Sequence, residues 1–307
     1  MTPAIAIITR TKNRPQLLER ALRSILAQSL SDWIWVVVNA GEAAPVEALF
    51  TKYAGALKGR ARLHQIPPDT TISAASNHGI RASDSRLVTL LDDDDTWEPD
   101  FLESMLGALD SKPNVATAGV ACHALCVEEE PDEHGNLKPT KEYLQNPQLR
   151  NLSLGLMAVM NQFCVHAFVY ERRAFDLLGG YTETLPVLDD WEFNLRFLRR
   201  FDIQFLPRPL ARYHLRPAVS QGDGANSQYA AQPLHLHFEA HIINEALRAD
   251  AEGRGQGLGL LLAQGAAQRQ ILQGMRSAGR RLESISKKVG SIDSRTKTLK
   301  DHVLRKS

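Results

Sequence analysis

The architecture of the chain can be inferred from one stretch, Leu90-Leu91-Asp92-Asp93-Asp94-Asp95-Thr96-Trp97-Glu98-Pro99-Asp100. Four consecutive carboxylates follow an apolar run that begins at Leu87 and precede a turn at Pro99. The apolar run predicts a buried strand, and the acids predict that this strand opens into a cleft. Because hard ions such as Mg²⁺ and Mn²⁺ prefer oxygen ligands, a metal site is one interpretation. A solvated acidic turn is the other.

Composition places the chain among ordinary globular proteins. Its 307 residues are 43% hydrophobic and 23% charged, enough for one large domain with an appendage or for two domains. The net charge of +1 gives no reason to expect a nucleic-acid partner. Cys122, Cys126 and Cys164 form no CxxC pair, which favours reduced, mostly buried thiols over a zinc site. We expect a cytoplasmic protein, since the sequence has neither a signal-peptide pattern nor a membrane-spanning apolar run.

Strands and helices are predicted to alternate on both sides of the acidic run. Predicted strands cover residues 4–8, 33–38, 62–66, 115–126, 163–170 and 203–206, and predicted helices cover 15–26, 46–57, 72–82, 101–109, 172–178 and the residues after 189. This is the doubly wound α/β pattern, in which ligands bind at the carboxyl ends of the strands. The polar loop 9–15, Asn39 and the acidic run all fall at such ends. Residues 128–151, rich in proline, predict an excursion from the sheet.

The character of the sequence changes beyond about residue 225. Residues 234–249 predict a helix, and glycines between 253 and 259 predict a flexible joint. Apolar residues then recur at alternating steps of four and three: Ile271, Met275, Ala278, Leu282, Ile285, Val289, Ile292, Thr296, Leu299 and Val303. This heptad pattern predicts a coiled coil and hence a homo-oligomer. The tail is also basic, so peripheral contact with an anionic membrane is the alternative, which the narrow seam without Trp or Phe disfavours.

The order of the motifs resembles that of family 2 glycosyltransferases, which have the GT-A fold. The motifs are Ile7-Ile8-Thr9-Arg10-Thr11-Lys12-Asn13-Arg14-Pro15, Leu22-Arg23-Ser24-Ile25-Leu26-Ala27-Gln28-Ser29, Val36-Val37-Val38-Asn39, Asn77-His78-Gly79-Ile80, Leu91-Asp92-Asp93-Asp94-Asp95, Gly179-Gly180-Tyr181 and Asp189-Asp190-Trp191. The resemblance covers roughly residues 3–220 and is specific only when the motifs are taken together. It implies a GT-A domain over 1–225, a Rossmann-like mixed sheet flanked by helices. A helical segment with the glycine joint over 226–258 and a basic amphipathic helix over 259–307 follow it.

The resemblance also implies roles for the matched residues. Asp92-x-Asp94 is similar to the family's DxD motif, whose last acid binds a divalent metal, so Asp94, Asp92 and the nearby His214 are the predicted metal ligands. Asp190 matches the family's general base; its neighbour Asp189 and Asp190 itself could instead simply stabilise a helix N-terminus. The residues expected at the donor are Thr9, Arg10, Thr11, Arg14, Asn39, Asn77, Asp92 and Asp93, with Asp93 facing the ribose. Asn77 could instead order a loop, and His214 could instead be a packed, hydrogen-bonded histidine.

The chemistry of these residue types agrees with an inverting glycosyl transfer. A metal, Mn²⁺ or Mg²⁺, neutralises the leaving diphosphate, and one base takes the proton of the acceptor hydroxyl. A single base opposite the leaving group gives in-line displacement with inversion. The resemblance therefore implies that a nucleotide-diphosphate sugar, most simply a UDP-sugar, donates to a glycan or glycolipid of a surface polysaccharide at the cytoplasmic side of the membrane.

Two departures from the family pattern keep a second hypothesis open. Ala40 stands where many members have an Asp that contacts the nucleobase, and Ser76 stands where many have an Arg. They are the only support for a catalytically silent scaffold that acts through its coiled coil. Nucleotidyl transfer on a similar fold is a third hypothesis, and it is disfavoured because residues 9–14 contain no glycine.

Overall fold

The computed structural model describes residues 2–111, 113–133, 136–219, 222, 224–226, 229 and 231–304, with side chains up to residue 290. Its described strands are β1 (Ile5–Thr11), β2 (Trp33–Asn39), β3 (Ala61–Gln65), β4 (Leu87–Leu90), β5 (Thr96–Trp97), β6 (Thr117–Pro131), β7 (Leu137–Leu144), β8 (Phe168–Glu171) and β9 (Asp202–Leu215). They form one mixed sheet in the order β3-β2-β1-β4-β8-β6-β9-β5, with β7 paired to β6. Strands β3, β2, β1 and β4 pair parallel to one another. Strand β8 pairs antiparallel with β4 on one side and with β6 on the other, and so connects these strands to the rest of the sheet.

Helices cover both faces of the sheet. They are α1 (Pro15–Leu26), α2 (Ala43–Lys52), α3 (Ala54–Leu57), α4 (Ile72–Arg81), α5 (Phe101–Asp110), α6 (Leu154–Val159), α7 (Arg172–Leu178), α8 (Asp189–Leu198), α9 (Gln232–Ala251) and α10 (Leu258–Leu304), with a 3₁₀ turn at Val165–Ala167. Successive side chains of a strand point to opposite faces. Ile5 and Ile7 therefore pack with α1, α2 and α5, whereas Ala6 and Ile8 pack with α4, α7 and α8. This two-sided burial explains why the first strands are continuous apolar runs in the sequence.

The carboxyl ends of β1, β2 and β4 meet at one edge of the sheet. Thr11 at the end of β1 lies opposite Asn39 at the end of β2, and Ile8 lies opposite Leu90 at the end of β4. The acidic run after β4 thus continues alongside the last residues of β1. This confirms the predicted convergence of the polar loop, Asn39 and the acids.

Several elements differ from the sequence prediction because sheet pairing overrides local propensity. Strand β9 runs to Leu215 rather than ending at 206, since it pairs with β6 along its length. The excursion from the sheet predicted over residues 128–151 is wrong for its first part, because residues 128–131 belong to β6 and Leu137–Leu144 form β7, which pairs with β6 in the same sheet. The strand predicted over 163–170 begins only at Phe168, after the 3₁₀ turn. The helix predicted over 46–57 is two helices, and the short elements β5 and α6 were not predicted.

The C-terminal helix α10 begins on the body of the domain and then leaves it. Leu262 is 1% exposed, and Gly265 lies so close to α6 that a Cβ there would be 2.3 Å from the Ala158 carbonyl oxygen. Further along, Leu282 is 67% exposed and Val289 58% exposed. Of the predicted seam, the side chains of Ile292, Thr296, Leu299 and Val303 lie outside the described residues. The predicted division of the chain into the segments 1–225, 226–258 and 259–307 stays a prediction.

Membrane spanning can be judged for the described helices only. Within that part of the chain, no helix has the length and apolar character needed to cross a bilayer.

Substitution of Gly79 in α4 tests how closely that helix packs on the sheet. A Cβ there would lie 2.5 Å from Ile8 Cγ2 and 2.9 Å from Val38 Cγ2. Gly79→Ala should therefore lower the free energy of unfolding by about 1–3 kcal/mol, because α4 must move away from β1 and β2. Gly107→Ala in α5 is the matched control: with no atom within 4 Å of its Cβ position, it should raise stability by about 0.4–1 kcal/mol. Urea denaturation measures both, and a Gly79→Ala variant as stable as its parent would contradict this packing.

Candidate active site

Each of the four adjacent carboxylates after β4 has a cationic partner from another part of the chain. The pairs are Asp92 with Arg10, Asp93 with Arg14, Asp94 with Arg216 and Arg14, and Asp95 with His166. A buried charge without a partner costs several kcal/mol. The acidic run is therefore not a solvated turn; it is the centre of a charge-compensated site.

The surroundings separate the pKa values of these acids. Burial alone would raise the pKa of Asp92, but Arg10 outweighs burial and the pKa is lowered. Burial raises the pKa of Asp93 to about 7, although Arg14 and the Thr11 hydroxyl partly offset it. The pKa of Asp95 is also raised by burial, against the effect of His166. Asp92 therefore stays ionised at neutral pH, whereas Asp93 titrates there.

Asp94, the predicted metal ligand, is bound by protein donors. Its Oδ2 accepts hydrogen bonds from Arg216 Nη2, from Arg14 Nη1 at 3.3 Å and from Asn226 Nδ2 at 3.3 Å. Its backbone oxygen accepts from Arg20 Nη2 at 2.5 Å. A metal ion at Asp94 would have to share or displace these donors.

His214, the other predicted ligand from β9, is held by hydrogen bonds at both ring nitrogens. Nδ1 lies 2.9 Å from Glu129 Oε1, and Nε2 lies 2.9 Å from the Thr96 hydroxyl. Its backbone N–H donates to Asp95 Oδ1 at 2.8 Å. These contacts fit the packed-histidine interpretation, and a role in metal binding stays a prediction.

A second possible donor set was not predicted. Ligand atoms of Asp92, Asp95 and His166 lie within 4.8 Å of one another, which within the described residues makes them a group that could hold a metal ion. His166 Nδ1 lies 2.8 Å from Asp95 Oδ2, and both side chains are 1% exposed. Burial opposes the charge on His166, but Asp95 raises its pKa well above the ordinary value. A metal at this set would therefore compete with a proton.

The predicted donor-binding residues lie around the same edge of the sheet. Arg10 Nη1 donates a hydrogen bond to the Ser76 hydroxyl at 2.9 Å. Ser76, which stands where many family members have an arginine, therefore contacts the side chain of an arginine from β1. Thr11 Oγ1 donates to Asp93 Oδ2 at 2.7 Å. The Thr9 hydroxyl accepts from Trp35 Nε1 at 2.9 Å, which directs it to the core rather than the cleft. The nucleotide contacts of these residues stay predictions.

Two asparagines in this group order the backbone. Asn39 Nδ2 donates to the Glu42 carbonyl oxygen and to Gln65 Oε1, both at 2.9 Å. Asn77 donates to the Tyr181 carbonyl oxygen at 2.8 Å and accepts from the Tyr181 N–H at 2.8 Å. For Asn77 this agrees with the loop-ordering interpretation.

Asp190, the predicted base, opens helix α8 at the same site. Its Oδ1 accepts from the Trp191 backbone N–H at 2.7 Å, and its Oδ2 accepts from Asn161 Nδ2 at 2.7 Å. Burial, followed by the charge of Asp189, raises the pKa of Asp190 to about 7. The Arg10 guanidinium interacts electrostatically with both Asp189 and Asp92. The two acidic motifs therefore lie in one site. A carboxylate with a pKa near neutrality is suited to general-base chemistry.

Several site residues received no individual role in the sequence analysis, namely Asn161, His166, Glu129, Arg20, Arg216 and Asn226. A signal existed for Arg216 alone. It follows His214 by two residues at the end of β9, and the two-residue period of a strand puts such positions on one face. The others reach the site only through folding over long separations in the chain.

A cavity of about 860 Å³ opens between α1 and the β6–β7 hairpin. Its lining includes Arg14 and Arg216, both bound to Asp94, together with Arg20 and Arg23. Ligand pockets commonly have volumes of about 300–1,000 Å³. Size and lining therefore suit an anionic ligand as large as a nucleotide.

The chain is similar to known proteins of one family. A family model described as glycosyl transferase family 2 matches residues 6–177. The amylovoran biosynthesis glycosyltransferase AmsE of Erwinia amylovora is 26% identical over 198 residues, which are 64% of this chain and 69% of AmsE.

Among solved structures, the fold is similar to that of glycosyltransferases. S. aureus TarS 1–349 in complex with UDP-GlcNAc is 14% identical with a TM-score of 0.62, over 85% of this chain and 71% of that one. This chain spans 43% of a longer TarS structure. The mannosyltransferase PcManGT of Pyrobaculum calidifontis, in complex with GDP-Man and Mn²⁺, is 15% identical with a TM-score of 0.57, over 91% and 80%. At these identities the likeness concerns the fold alone, and that fold is GT-A.

Proposed function

This chain belongs to glycosyl transferase family 2, and from that membership we propose that it transfers a sugar, with inversion, from a nucleotide-diphosphate sugar to a hydroxyl of a glycan or glycolipid. One observation carries the proposal: Asp190, with a pKa of about 7, shares a site with the acids after β4. AmsE, by its name a glycosyltransferase of amylovoran biosynthesis, supports a role in polysaccharide biosynthesis, and we propose that the polysaccharide is one of the cell surface. We propose that the reaction takes place in the cytoplasm, at the inner face of the membrane.

Asp190 is the proposed general base. It would take the proton of the acceptor hydroxyl as that oxygen attacks the anomeric carbon. The Trp191 N–H and Asn161 Nδ2 each bind one of its oxygens at 2.7 Å, which fixes the plane of the carboxylate. Asn161 is thus a positioning residue. With one base opposite the leaving group, a single displacement inverts the sugar.

The arginines of the cavity are the proposed contacts of the donor's diphosphate. Arg14 and Arg216 line the cavity next to Asp94, and guanidinium groups bind phosphate oxygens with two parallel hydrogen bonds. TarS in complex with UDP-GlcNAc supports a UDP-sugar, whereas PcManGT in complex with GDP-Man keeps a guanine nucleotide as the alternative.

We assign a Mn²⁺ or Mg²⁺ ion to Asp92 and Asp94, with His214 as a predicted third ligand. Carboxylate donors suit Mn²⁺ and Mg²⁺, and PcManGT was solved with Mn²⁺. Asp94 is bound by Arg14, which also lines the cavity, so an ion at Asp94 would lie next to the cavity. In the alternative set, the side chains of Asp95 and His166 are each 1% exposed, and the raised pKa of His166 keeps a proton on its imidazole. When bound, the ion neutralises the charge of the departing diphosphate.

A second copy of this chain is the proposed partner of α10. The apolar seam from Ile271 to Val289 is exposed, with Met275, Leu282 and Ile285 between 56% and 67%. Its heptad spacing is that of a coiled coil, in which such residues are buried between helices. The basic residues Arg281 and Lys288 flank the seam, so an anionic membrane surface is the competing outcome.

The donor site is tested first, by calorimetric titration of UDP with Mn²⁺ or with EDTA. Binding should require Mn²⁺, and Asp94→Asn should abolish it because a metal ligand is lost. Asp110→Asn, an exposed acid of α5, is the matched control and should bind like the parent. Loss of metal binding in His166→Gln instead of Asp94→Asn would move the ion to the alternative set. GDP and dTDP are compared in parallel, and no binding by any of them would favour the scaffold hypothesis.

The base is tested by the pH dependence of transfer. Asp190→Asn should lower kcat by about 10²- to 10⁴-fold and leave UDP binding unchanged. In the parent, kcat should fall as pH drops through about 7, because the Asp190 carboxylate, whose pKa is about 7, becomes protonated. The exposed acid Asp176→Asn is the control. An Asp190→Asn enzyme with the parent's rate and pH profile would refute this role.

Oligomerisation is tested by light scattering after size-exclusion chromatography. The pair Leu282→Lys and Ile285→Lys should convert an oligomer to a monomer, since charges cannot be buried in the seam. Ser284→Lys, exposed on the opposite face of α10, should leave the oligomer intact. A monomeric parent that sediments with anionic vesicles would support the membrane outcome.

A further inference from the structure

Arg216 is a fully buried arginine at the end of β9, with 1% of its side chain exposed. Its Nη2 donates to Asp94 Oδ2, and its Nε donates to the Gly224 carbonyl oxygen at 2.5 Å. Nη1 makes no hydrogen bond within the described residues and lies 3.9 Å from Glu129 Oε2. A buried guanidinium with an unused donor is costly unless a ligand completes it.

Arg216 and the proposed metal ion need the same oxygen atom. Asp94 Oδ2 already accepts from three side chains, and two of them are guanidinium groups. A divalent ion added there would stand within contact distance of those positive charges and repel them. One carboxylate cannot hold the ion, Arg14 and Arg216 together at low cost.

We propose that Arg216 is an internal counter-ion, which competes with the divalent ion for Asp94 and passes to the diphosphate of the donor once the ion is bound. This inference rests on the proposed donor and metal site. In the absence of both ligands, Arg216 neutralises Asp94. With both bound, the ion neutralises Asp94 and Arg216 binds phosphate oxygens.

The surroundings of Arg216 allow this exchange. The residue follows the last position of β9, Leu215, so its side chain can move without disturbing the sheet. Arg216 lines the same cavity as Arg14. Its Nη1, which has no hydrogen-bond partner within the described residues, can donate to a phosphate oxygen in addition to Nη2. Its main-chain N–H is held by Asn226 Oδ1 at 2.7 Å, which keeps the backbone in place.

A purely structural arginine would behave differently. If Arg216 only stabilised the fold, its loss would disturb the whole site and weaken the binding of the ion and of the diphosphate alike. Loss of a competitor strengthens the binding of the ion and weakens that of the diphosphate. The opposite signs of these two effects identify the counter-ion role.

The experiment compares the full-length parent with Arg216→Gln in Mn²⁺ and UDP calorimetry. Arg216→Gln should bind Mn²⁺ about tenfold more tightly, because the positive charge that competes for Asp94 is removed. In saturating Mn²⁺ it should bind UDP about tenfold more weakly, because a charged hydrogen bond is lost. Mn²⁺ should also raise its melting temperature more than that of the parent. Arg208→Gln, on the same strand with a 51% exposed side chain paired to Asp100, is the matched control.

Further variants separate the possible failures. Adding Asp94→Asn to Arg216→Gln should remove the gain in Mn²⁺ affinity. Arg216→Lys keeps the positive charge but loses the paired N–H groups of the guanidinium. Its affinities for Mn²⁺ and for UDP should lie between those of the parent and those of Arg216→Gln. Equal or weaker Mn²⁺ binding by both Arg216 variants would overturn the inference. If Asp94→Asn alone leaves Mn²⁺ and UDP binding intact, the proposed donor site itself fails.

Discussion

The structure depends on the neutralisation of four adjacent carboxylates. Their partners come from separate elements: Arg10 from β1, Arg14 from the loop before α1, His166 from the turn before β8 and Arg216 from the end of β9. Because a buried carboxylate without a partner costs several kcal/mol, the acids are stable only when these elements are assembled. Strand β1 and the loop after it supply two of the partners, and the elements around β8 and β9 supply the other two, so one electrostatic requirement joins the two sides of the sheet.

The same requirement prepares the site for chemistry. Burial and neighbouring acids keep Asp93 and Asp190 at pKa values of about 7, whereas Arg10 holds the pKa of Asp92 below its usual range. Because each of these acids is paired, loss of one cation would leave a buried carboxylate without a partner. Under the proposed function, the same arginines are the groups that would bind the diphosphate of the donor.

The sequence analysis predicted the strands up to β4 well and the strands after β4 less well. Strands β1, β2 and β4 are buried on both faces, so their apolar runs are unmistakable and their carboxyl ends could be aligned. Strand β9 could not be delimited, because Pro207 and Pro209 interrupt the strand pattern in the sequence. The pairing with β6 skips Pro207 and Arg208 at a register shift and resumes at Pro209. Asp190 was found through a family motif, but its partner Asn161 was not, because Asn161 belongs to no periodic pattern.

Local order, burial and the family were determined by the sequence itself: which runs are strands, that acids follow β4, and that the motifs occur in the order of family 2 glycosyltransferases. The tertiary structure alone decided which cation meets which acid. Arg216 and Asp94 are 122 positions apart in the chain, and Arg10 and Asp92 are 82 apart. Periodicity and propensity act over a few residues, whereas an ion pair depends on distance in space. Only the packing of the sheet sets that distance.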